Sequence, residues 1–220
     1  MERFEYLILG NSTAGVAAAE AIRSVDREGK LAIVSEEPYH TYSRPLISYL
    51  ITGERDVERM GYRSGDFYER IGGRVFLGVK VERIDCEGRK VVTSGGEGIG
   101  FGKLLIATGG RAIIPPIAGV EREGVFTFTS YDDARRVKDY IERGGCDEGV
   151  VVGGGLIGLQ AAEALCRAGL KVTVVELLAR VLAPVLDEEG SRLVEEVFRR
   201  NGVRIVTGVG AKEIRGGAVG

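Results

Sequence analysis

The sequence has few of the residues that mark secreted or metal-binding proteins. It contains no tryptophan, one histidine and three cysteines (Cys86, Cys146 and Cys166) in 220 residues. The cysteines are odd in number and widely spaced, so they form neither a CxxC pair nor a disulfide framework. That usage is typical of a reducing compartment, and we expect a cytoplasmic protein. The sequence offers no metal-ligand cluster, so no metal is expected.

An excess of one charge and long apolar runs are also missing. The 30 Lys and Arg residues against 32 Asp and Glu give a net charge of −2, whereas a general nucleic-acid binder needs a strongly basic face. No apolar run approaches the roughly 20 residues that span a bilayer, and the charged N-terminus predicts no signal peptide. We therefore expect an ordinary globular chain with no nucleic-acid partner and no membrane span.

Glycine, in contrast, is abundant, and part of it lies in an internal repeat. The chain has 34 glycines, roughly twice typical usage. Residues 10–22 read GNSTAGVAAAEAI and residues 153–165 read GGGLIGLQAAEAL, with six of thirteen positions identical. A repeat of this kind predicts two similar units rather than one.

Each copy of the repeat lies between two apolar stretches. The first copy is flanked by predicted strands at 4–9 and 31–36, with a helix at 16–27. The second is predicted to have strands at 149–152 and 171–176, with a helix at 159–168. Strand, glycine turn, helix and strand form the βαβ unit of a parallel sheet. The sequence therefore predicts an α/β fold with two Rossmann-like nucleotide-binding units.

The second turn fits the GxGxxG pattern of dinucleotide-binding proteins. Its glycines allow a tight turn, a close approach of pyrophosphate and close packing of helix on strand, and the phosphates lie on free helix N–H groups. Glu176 ends the next strand, where a carboxylate binds both ribose hydroxyls and repels a 2′-phosphate. NADH is therefore expected in preference to NADPH, although Arg180 could still admit a phosphate. The predicted NADH contacts are Gly153, Gly155, Leu156, Ile157, Gly158 and Glu176.

The first turn departs from the pattern but remains a plausible phosphate site. Ser12 replaces the middle glycine, and its small hydroxyl could bond a phosphate. Glu36 is expected to end the following strand and to bind a ribose, with Glu37 as the neighbouring alternative. The predicted contacts in this unit are Gly10, Ser12, Thr13, Ala14, Gly15, and Glu36 or Glu37.

A proline pair predicts the division between two domains. Residues 113–119 contain Pro115 and Pro116, which stop regular structure and indicate a linker. We place the boundary near residue 115, with domains at 1–115 and 116–220. A helix is expected from about 187 to 200 and a strand at 203–207. The last residues, 218–220, are expected to lie within a sheet, so that the second unit would be incomplete.

Five features in order give the chain a family resemblance. They are the turn 10–15, the stretch Glu36-Glu37-Pro38 with Tyr42-Ser43-Arg44-Pro45, Leu105-Ile106-Ala107-Thr108-Gly109-Gly110, the turn 153–158, and Glu176 with Arg180. The chain resembles the FAD-dependent pyridine nucleotide–disulfide oxidoreductases, in which an NAD(P)H Rossmann domain is inserted in an FAD Rossmann domain. The resemblance implies that FAD binds residues 1–115 and NADH residues 116–220. It adds Arg44, Pro45, Val81, Ala107, Thr108 and Gly109 to the expected FAD contacts; Arg44 could instead form a surface salt bridge.

The stretch 42–48 indicates the branch of the family. Disulfide reductases carry a redox cysteine there, and this chain has none. The segment Arg44-Pro45-Leu46 is more similar to the rubredoxin, ferredoxin and nitrite reductase flavoproteins, which take hydride from NAD(P)H onto FAD and pass electrons singly to an iron–sulfur, haem or other acceptor. Relatives in that branch often pair a Lys with a Glu near the flavin, at the positions of Tyr49 and Gln160 here. No catalytic residue is assigned.

The end of the sequence differs from the family pattern. Family members return to the FAD domain and add an interface domain, and neither segment is expected in residues 1–220. We therefore expect these residues alone to hold FAD weakly or not at all, and to form a homo-oligomer or pair with a partner chain. The alternatives to a complete enzyme are a non-catalytic nucleotide-binding chain and one subunit of a split flavoenzyme.

Overall fold

The structure, a computed structural model, describes residues 1–215, so the strand end expected at 218–220 lies outside the described residues. The chain divides into two units. Unit 1 comprises Met1–Arg44 and Val57–Gly110, and unit 2 comprises Pro45–Asp56 and the chain from Arg111 onward. The division after Gly110 lies close to the expected linker, but Pro45–Asp56 groups with the second unit rather than the first.

Unit 1 is built on a single mixed sheet. Its strands are β1 (Glu2–Leu9), β2 (Leu31–Ser35), β3 (Gly73–Leu77), β4 (Val81–Asp85), β5 (Lys90–Thr93) and β6 (Gly98–Ile106). The order across the sheet is β3-β2-β1-β6-β5-β4. Strands β3, β2, β1 and β6 pair in parallel, whereas β5 pairs antiparallel with both β6 and β4. The chain moves from β1 to β2 on one side, whereas β6 lies on the other. The carboxyl ends of β1 and β6 thus form the switch point, where open α/β sheets bind ligands.

Residues 1–215 contain six α-helices. They are α1 (Thr13–Val25), α2 (Ser48–Ile51), α3 (Phe67–Arg70), α4 (Tyr131–Glu142), α5 (Leu156–Arg167) and α6 (Glu188–Arg200). In unit 1, α1 buries Val16 and Ala19 against Ile8 of β1 and Ile33 of β2. This apolar stripe fixes the start of α1 at the carboxyl end of the sheet. None of the helices in the described part of the chain combines the length and apolarity of a membrane span.

Unit 2 contains the second parallel sheet. Its strands are β7 (Glu148–Val152), β8 (Lys171–Glu176) and β9 (Arg204–Thr207), in that order. Helix α5 joins β7 to β8 and α6 lies between β8 and β9, which confirms the predicted βαβ unit. The core includes Ala162 of α5 with Val172 and Val174 of β8, all nearly inaccessible to solvent. The α/β class and the Rossmann-like topology are therefore confirmed.

The helix starts expected at residues 16 and 159 were wrong by three residues. Helix α1 begins at Thr13 and α5 at Leu156. The last residues of each glycine turn already have helical conformation, since the last glycine of each turn, Gly15 or Gly158, lies inside the first helical turn. The N–H groups expected to face phosphate therefore belong to the helices themselves.

Candidate nucleotide-binding sites

The two glycine turns have the same backbone geometry. The Gly10 N–H donates to the carbonyl of Val34 on β2, and the Gly153 N–H donates to the carbonyl of Val175 on β8, both at 2.8 Å. Their φ angles are +115° for Gly10 and +112° for Gly153, a region that side chains disfavour. The repeat seen in the sequence is therefore a repeat of conformation as well.

The last glycine of each turn lets the helix approach the turn. A Cβ atom on Gly15 would lie 2.0 Å from the carbonyl oxygen of Gly10, and one on Gly158 would lie 2.0 Å from that of Gly153. Neither contact could be relieved by rotating a side chain, because both involve backbone atoms. Any other residue at Gly15 or Gly158 must displace the turn.

The helix N-termini that follow the turns are open to ligand. The caps are Ser12 for α1 and Gly155 for α5, and neither residue supplies a side-chain capping bond. The first N–H groups of an α-helix have no intrahelical acceptor, and together with the helix dipole they attract anions. The exposed residues of these first turns are Thr13, Ala14, Leu156 and Ile157. Two sites suited to a pyrophosphate thus exist, one in each unit.

The switch point of unit 1 brings the first turn to the segment after β6. The Ala107 N–H donates to the carbonyl of Leu9 at 2.7 Å, and a Cβ on Gly10 would lie 2.1 Å from the Ala107 oxygen. Thr108 and Gly109 follow and are exposed, with Gly109 at a φ of +71°. The structure therefore places two of the sequence-predicted segments side by side.

Glu176 bonds to the backbone of its own unit. Its Oε2 accepts the N–H of Gly154 at 2.5 Å, and its Oε1 accepts the N–H of Leu178 at 2.7 Å. One oxygen thus holds the glycine turn and the other holds the loop after β8. An ionised carboxylate has about four acceptor positions, so two remain for other donors such as ribose hydroxyls.

In unit 1 the residue that corresponds to Glu176 is Ser35. The two glycine turns bond to Val34 and Val175, so the next residues, Ser35 and Glu176, occupy matching places. The expectation that Glu36 ends the strand was wrong, because β2 ends at Ser35. Glu36 follows the strand and is exposed.

Glu37 forms a small cluster with the segment that follows it. Its carboxylate accepts hydrogen bonds from Arg44 at 2.9 Å and from the Tyr42 hydroxyl at 3.1 and 3.2 Å. The Arg44 side chain is 40% exposed, so the salt bridge weighed for Arg44 is present in this structure. Of the other predicted contacts, Pro45 belongs to unit 2, and Val81 begins β4 and packs against the core of unit 1.

A buried network beside the first turn was not foreseen. The Tyr68 hydroxyl donates to Asn11 Oδ1 at 2.9 Å and accepts the Thr41 N–H at 3.1 Å. All three residues are buried, and burial raises the pKa of Tyr68 against the opposing effect of these two bonds. The His40 ring lies 4.7 Å from the Tyr68 ring, centroid to centroid. The network fixes the loop around Thr41 beside the turn, since Asn11 is part of the turn itself.

Thiol and metal chemistry find little support in the described residues. Cys86 is exposed, Cys146 and Cys166 are partly buried, and all three are free thiols. Burial, with a smaller contribution from Asp147, raises the pKa of the Cys146 thiol, which makes it a poorer nucleophile. Within residues 1–215, no group of three or more His, Cys, Asp or Glu side chains could hold a metal ion.

The comparison with family models decides the membership of this chain. The family described as pyridine nucleotide-disulphide oxidoreductase matches residues 4–219, nearly the whole sequence. The chain belongs to that family. The match extends across both glycine turns and both units, which agrees with the resemblance found in the sequence.

Individual relatives of the family are similar over nearly the whole chain. The NADH-dependent phenylglyoxylate dehydrogenase subunit epsilon of Aromatoleum evansii is 31% identical over 94% of this chain and 49% of its own length. The 5,5′-dehydrodivanillate O-demethylase ferredoxin reductase subunit of a Sphingobium species is 34% identical, over 97% of this chain and 52% of its own. The crystal structure of the ferredoxin reductase for the CYP199A2 system of Rhodopseudomonas palustris has a TM-score of 0.89 and 27% identity, over 97% of this chain and 53% of its own. The chain thus spans about half the length of these relatives.

Proposed function

We propose that the chain is the nucleotide-binding part of an FAD-dependent NADH oxidoreductase, with FAD in unit 1 and NADH in unit 2. The observation that carries the proposal is the pair of glycine turns with matching backbone geometry, each at the carboxyl end of a parallel strand and before an open helix N-terminus. When bound, FAD would accept hydride from NADH and pass electrons on singly, so the redox steps belong to the cofactor and the protein positions it.

In unit 1 the residues fit the ADP part of FAD. The Gly10 turn and the N-terminal N–H groups of α1 would bind the pyrophosphate, with the Ser12 hydroxyl as a further donor. The exposed backbone at Thr108 and Gly109 would lie along the cofactor. Glu36 and Glu37 remain the candidates for the ribose, and the ion pair with Arg44 orients the carboxylate of Glu37.

In unit 2 the residues fit NADH. The Gly153 turn and the first N–H groups of α5 would bind its pyrophosphate. The Glu176 carboxylate would accept both ribose hydroxyls with its remaining acceptor positions, while its charge would repel the 2′-phosphate of NADPH. Arg180 donates to the carbonyls of Ala183 and Leu186, both at 3.4 Å. Its guanidinium therefore stabilises the loop after β8, and these bonds compete with any bond to a phosphate.

The test is the visible spectrum of the intact protein. We expect a flavin band that bleaches under anaerobic conditions when NADH is added, and bleaches more slowly with NADPH at equal concentration. A protein that binds FAD but keeps its band with both nucleotides would contradict the oxidoreductase. A protein that binds no flavin after reconstitution with FAD would contradict the assignment of unit 1.

We further propose that the acceptor is an iron–sulfur protein and that the chain works within a larger assembly. Both named relatives are called subunits, and one is called a ferredoxin reductase subunit. An enzyme made of one polypeptide and a split flavoenzyme differ in whether a second polypeptide copurifies with the flavin.

The three scattered free cysteines support a location in a reducing cytoplasm.

A further inference from the structure

Helix α5 is hydrogen-bonded to the segment Pro45–Asp56 near its first turn. The Gln160 side-chain amide donates from Nε2 to the carbonyl oxygen of Pro45 at 2.8 Å. Gln160 lies two residues after Gly158, the last glycine of the second turn. Because an α-helix is rigid over so short a distance, the first turn that presents N–H groups to a nucleotide also sets the backbone position of Gln160.

A second link joins the other ends of the two elements. The Arg167 guanidinium lies 2.5 Å from the Glu54 carboxylate, and the short helix α2 packs against both α4 and α5. The Arg167 and Glu54 side chains are about half exposed, and an ion pair this exposed contributes little to stability. The Gln160 amide bonds directly to Pro45, the first residue of the segment.

We propose that Gln160 is a positioning residue that couples nucleotide binding at the second turn to the order of the segment Pro45–Asp56. A nucleotide bound at the start of α5 favours the ordered form of its first turns, and only that form places the Gln160 amide opposite the Pro45 carbonyl. The coupling is reciprocal, because two events that favour the same state strengthen each other. This inference rests on the proposed binding of NADH in unit 2.

The chemistry of the amide makes the role testable by substitution. A carbonyl oxygen only accepts hydrogen bonds, so residue 160 must donate. In Gln160→Leu the donor is lost at every pH. In Gln160→Glu the ionised carboxylate repels the Pro45 carbonyl, and only the protonated carboxyl can donate. Glu163, one helical turn away, would raise the pKa of that carboxyl, and Arg167 would oppose the shift.

The experiment is hydrogen exchange of the segment in the intact protein, with and without NADH, expressed as protection relative to the unstructured chain at each pH. Without NADH, we expect Gln160→Leu to lower protection about fivefold, as for the loss of one hydrogen bond. Gln160→Glu should show the same loss at pH 8 and regain protection as the pH falls toward about 4.3. The control Arg192→Gln breaks an exposed pair on α6 and should leave the segment unchanged.

Adding NADH separates positioning from simple stabilisation. We expect NADH to raise protection of the segment in the wild type and in the control but not in Gln160→Leu, even where calorimetry shows that the variant binds NADH. Equal NADH protection in Gln160→Leu and wild type would overturn the role of Gln160. Protection of the segment in Gln160→Glu that does not change with pH would also overturn it. Failure of the wild type to bind NADH would instead overturn the proposed function of unit 2, and the coupling with it.

Discussion

Replacing Glu176 with Gln should lower the stability of the second turn and reduce the preference of unit 2 for NADH over NADPH. The wild-type carboxylate accepts one N–H on each oxygen, from Gly154 and Leu178. An amide keeps one acceptor and turns a donor toward the other N–H. Leaving a donor unsatisfied costs about 1–3 kcal/mol when it is buried, and the lower end applies here because Leu178 is exposed. We therefore expect a loss of about 1 kcal/mol in the free energy of unfolding.

The effect on binding follows from the same atoms. Loss of the charge removes the repulsion of a 2′-phosphate, and loss of one acceptor weakens the hold on the ribose. Titration calorimetry should show NADH affinity lowered about tenfold and NADPH affinity lowered less, so that the preference narrows. Glu148→Gln is the control, since this exposed carboxylate pairs with Lys171 at 3.5 Å at the start of β7, the end of the strand away from the glycine turn. Tighter binding of NADPH than of NADH by the wild type would contradict this role of Glu176.

Three further predictions concern other parts of the chain. Tyr68→Phe removes the hydroxyl that bonds Asn11 Oδ1 and the Thr41 N–H and should lower the free energy of unfolding by about 2 kcal/mol; denaturation that shows no loss would contradict the network. Burial raises the pKa of Asp133, but hydrogen bonds from Thr129 and others outweigh burial, so the pKa is lowered in the folded protein. The stability that Asp133 contributes should therefore be complete above the ordinary pKa of an aspartate and be lost as the pH falls through the pKa of the folded state. Asp133→Asn should show no such pH dependence. Changing all three cysteines to Ser should preserve NADH–acceptor turnover, and loss of turnover at normal flavin content would show that a thiol takes part.

The local features of the fold could be predicted from the sequence. Glycine turns between apolar stretches indicated both βαβ units, and the strand at 171–176 matches β8. Asp132 and Asp133 lie in the first turn of α4, and Asp133 forms a capping box with Ser130, a pattern of neighbouring residues typical of a helix start. These features depend on residues a few positions apart, so the pattern contains the information that determines them.

The features that the sequence missed depend on distant residues. Asn11 and Tyr68 are 57 positions apart, and no spacing rule joins them. The grouping of Pro45–Asp56 with unit 2 follows from packing of α2 on α4 and α5, which the short sequence of α2 does not reveal. The end of β2 at Ser35 was missed because it is set by pairing with β1 and β3, whose last register pairs join Val34 to Leu9 and Ser35 to Leu77.

Calorimetry of FAD and NADH binding to Gly15→Ala and Gly158→Ala in the intact protein shows whether each turn holds its own nucleotide. Each added methyl would lie 2.0 Å from a carbonyl oxygen of its own turn, so each variant distorts one site. We expect Gly15→Ala to lose FAD and keep NADH, and Gly158→Ala to lose NADH and keep FAD. Loss of both nucleotides in either folded variant, or of neither, would contradict this expectation.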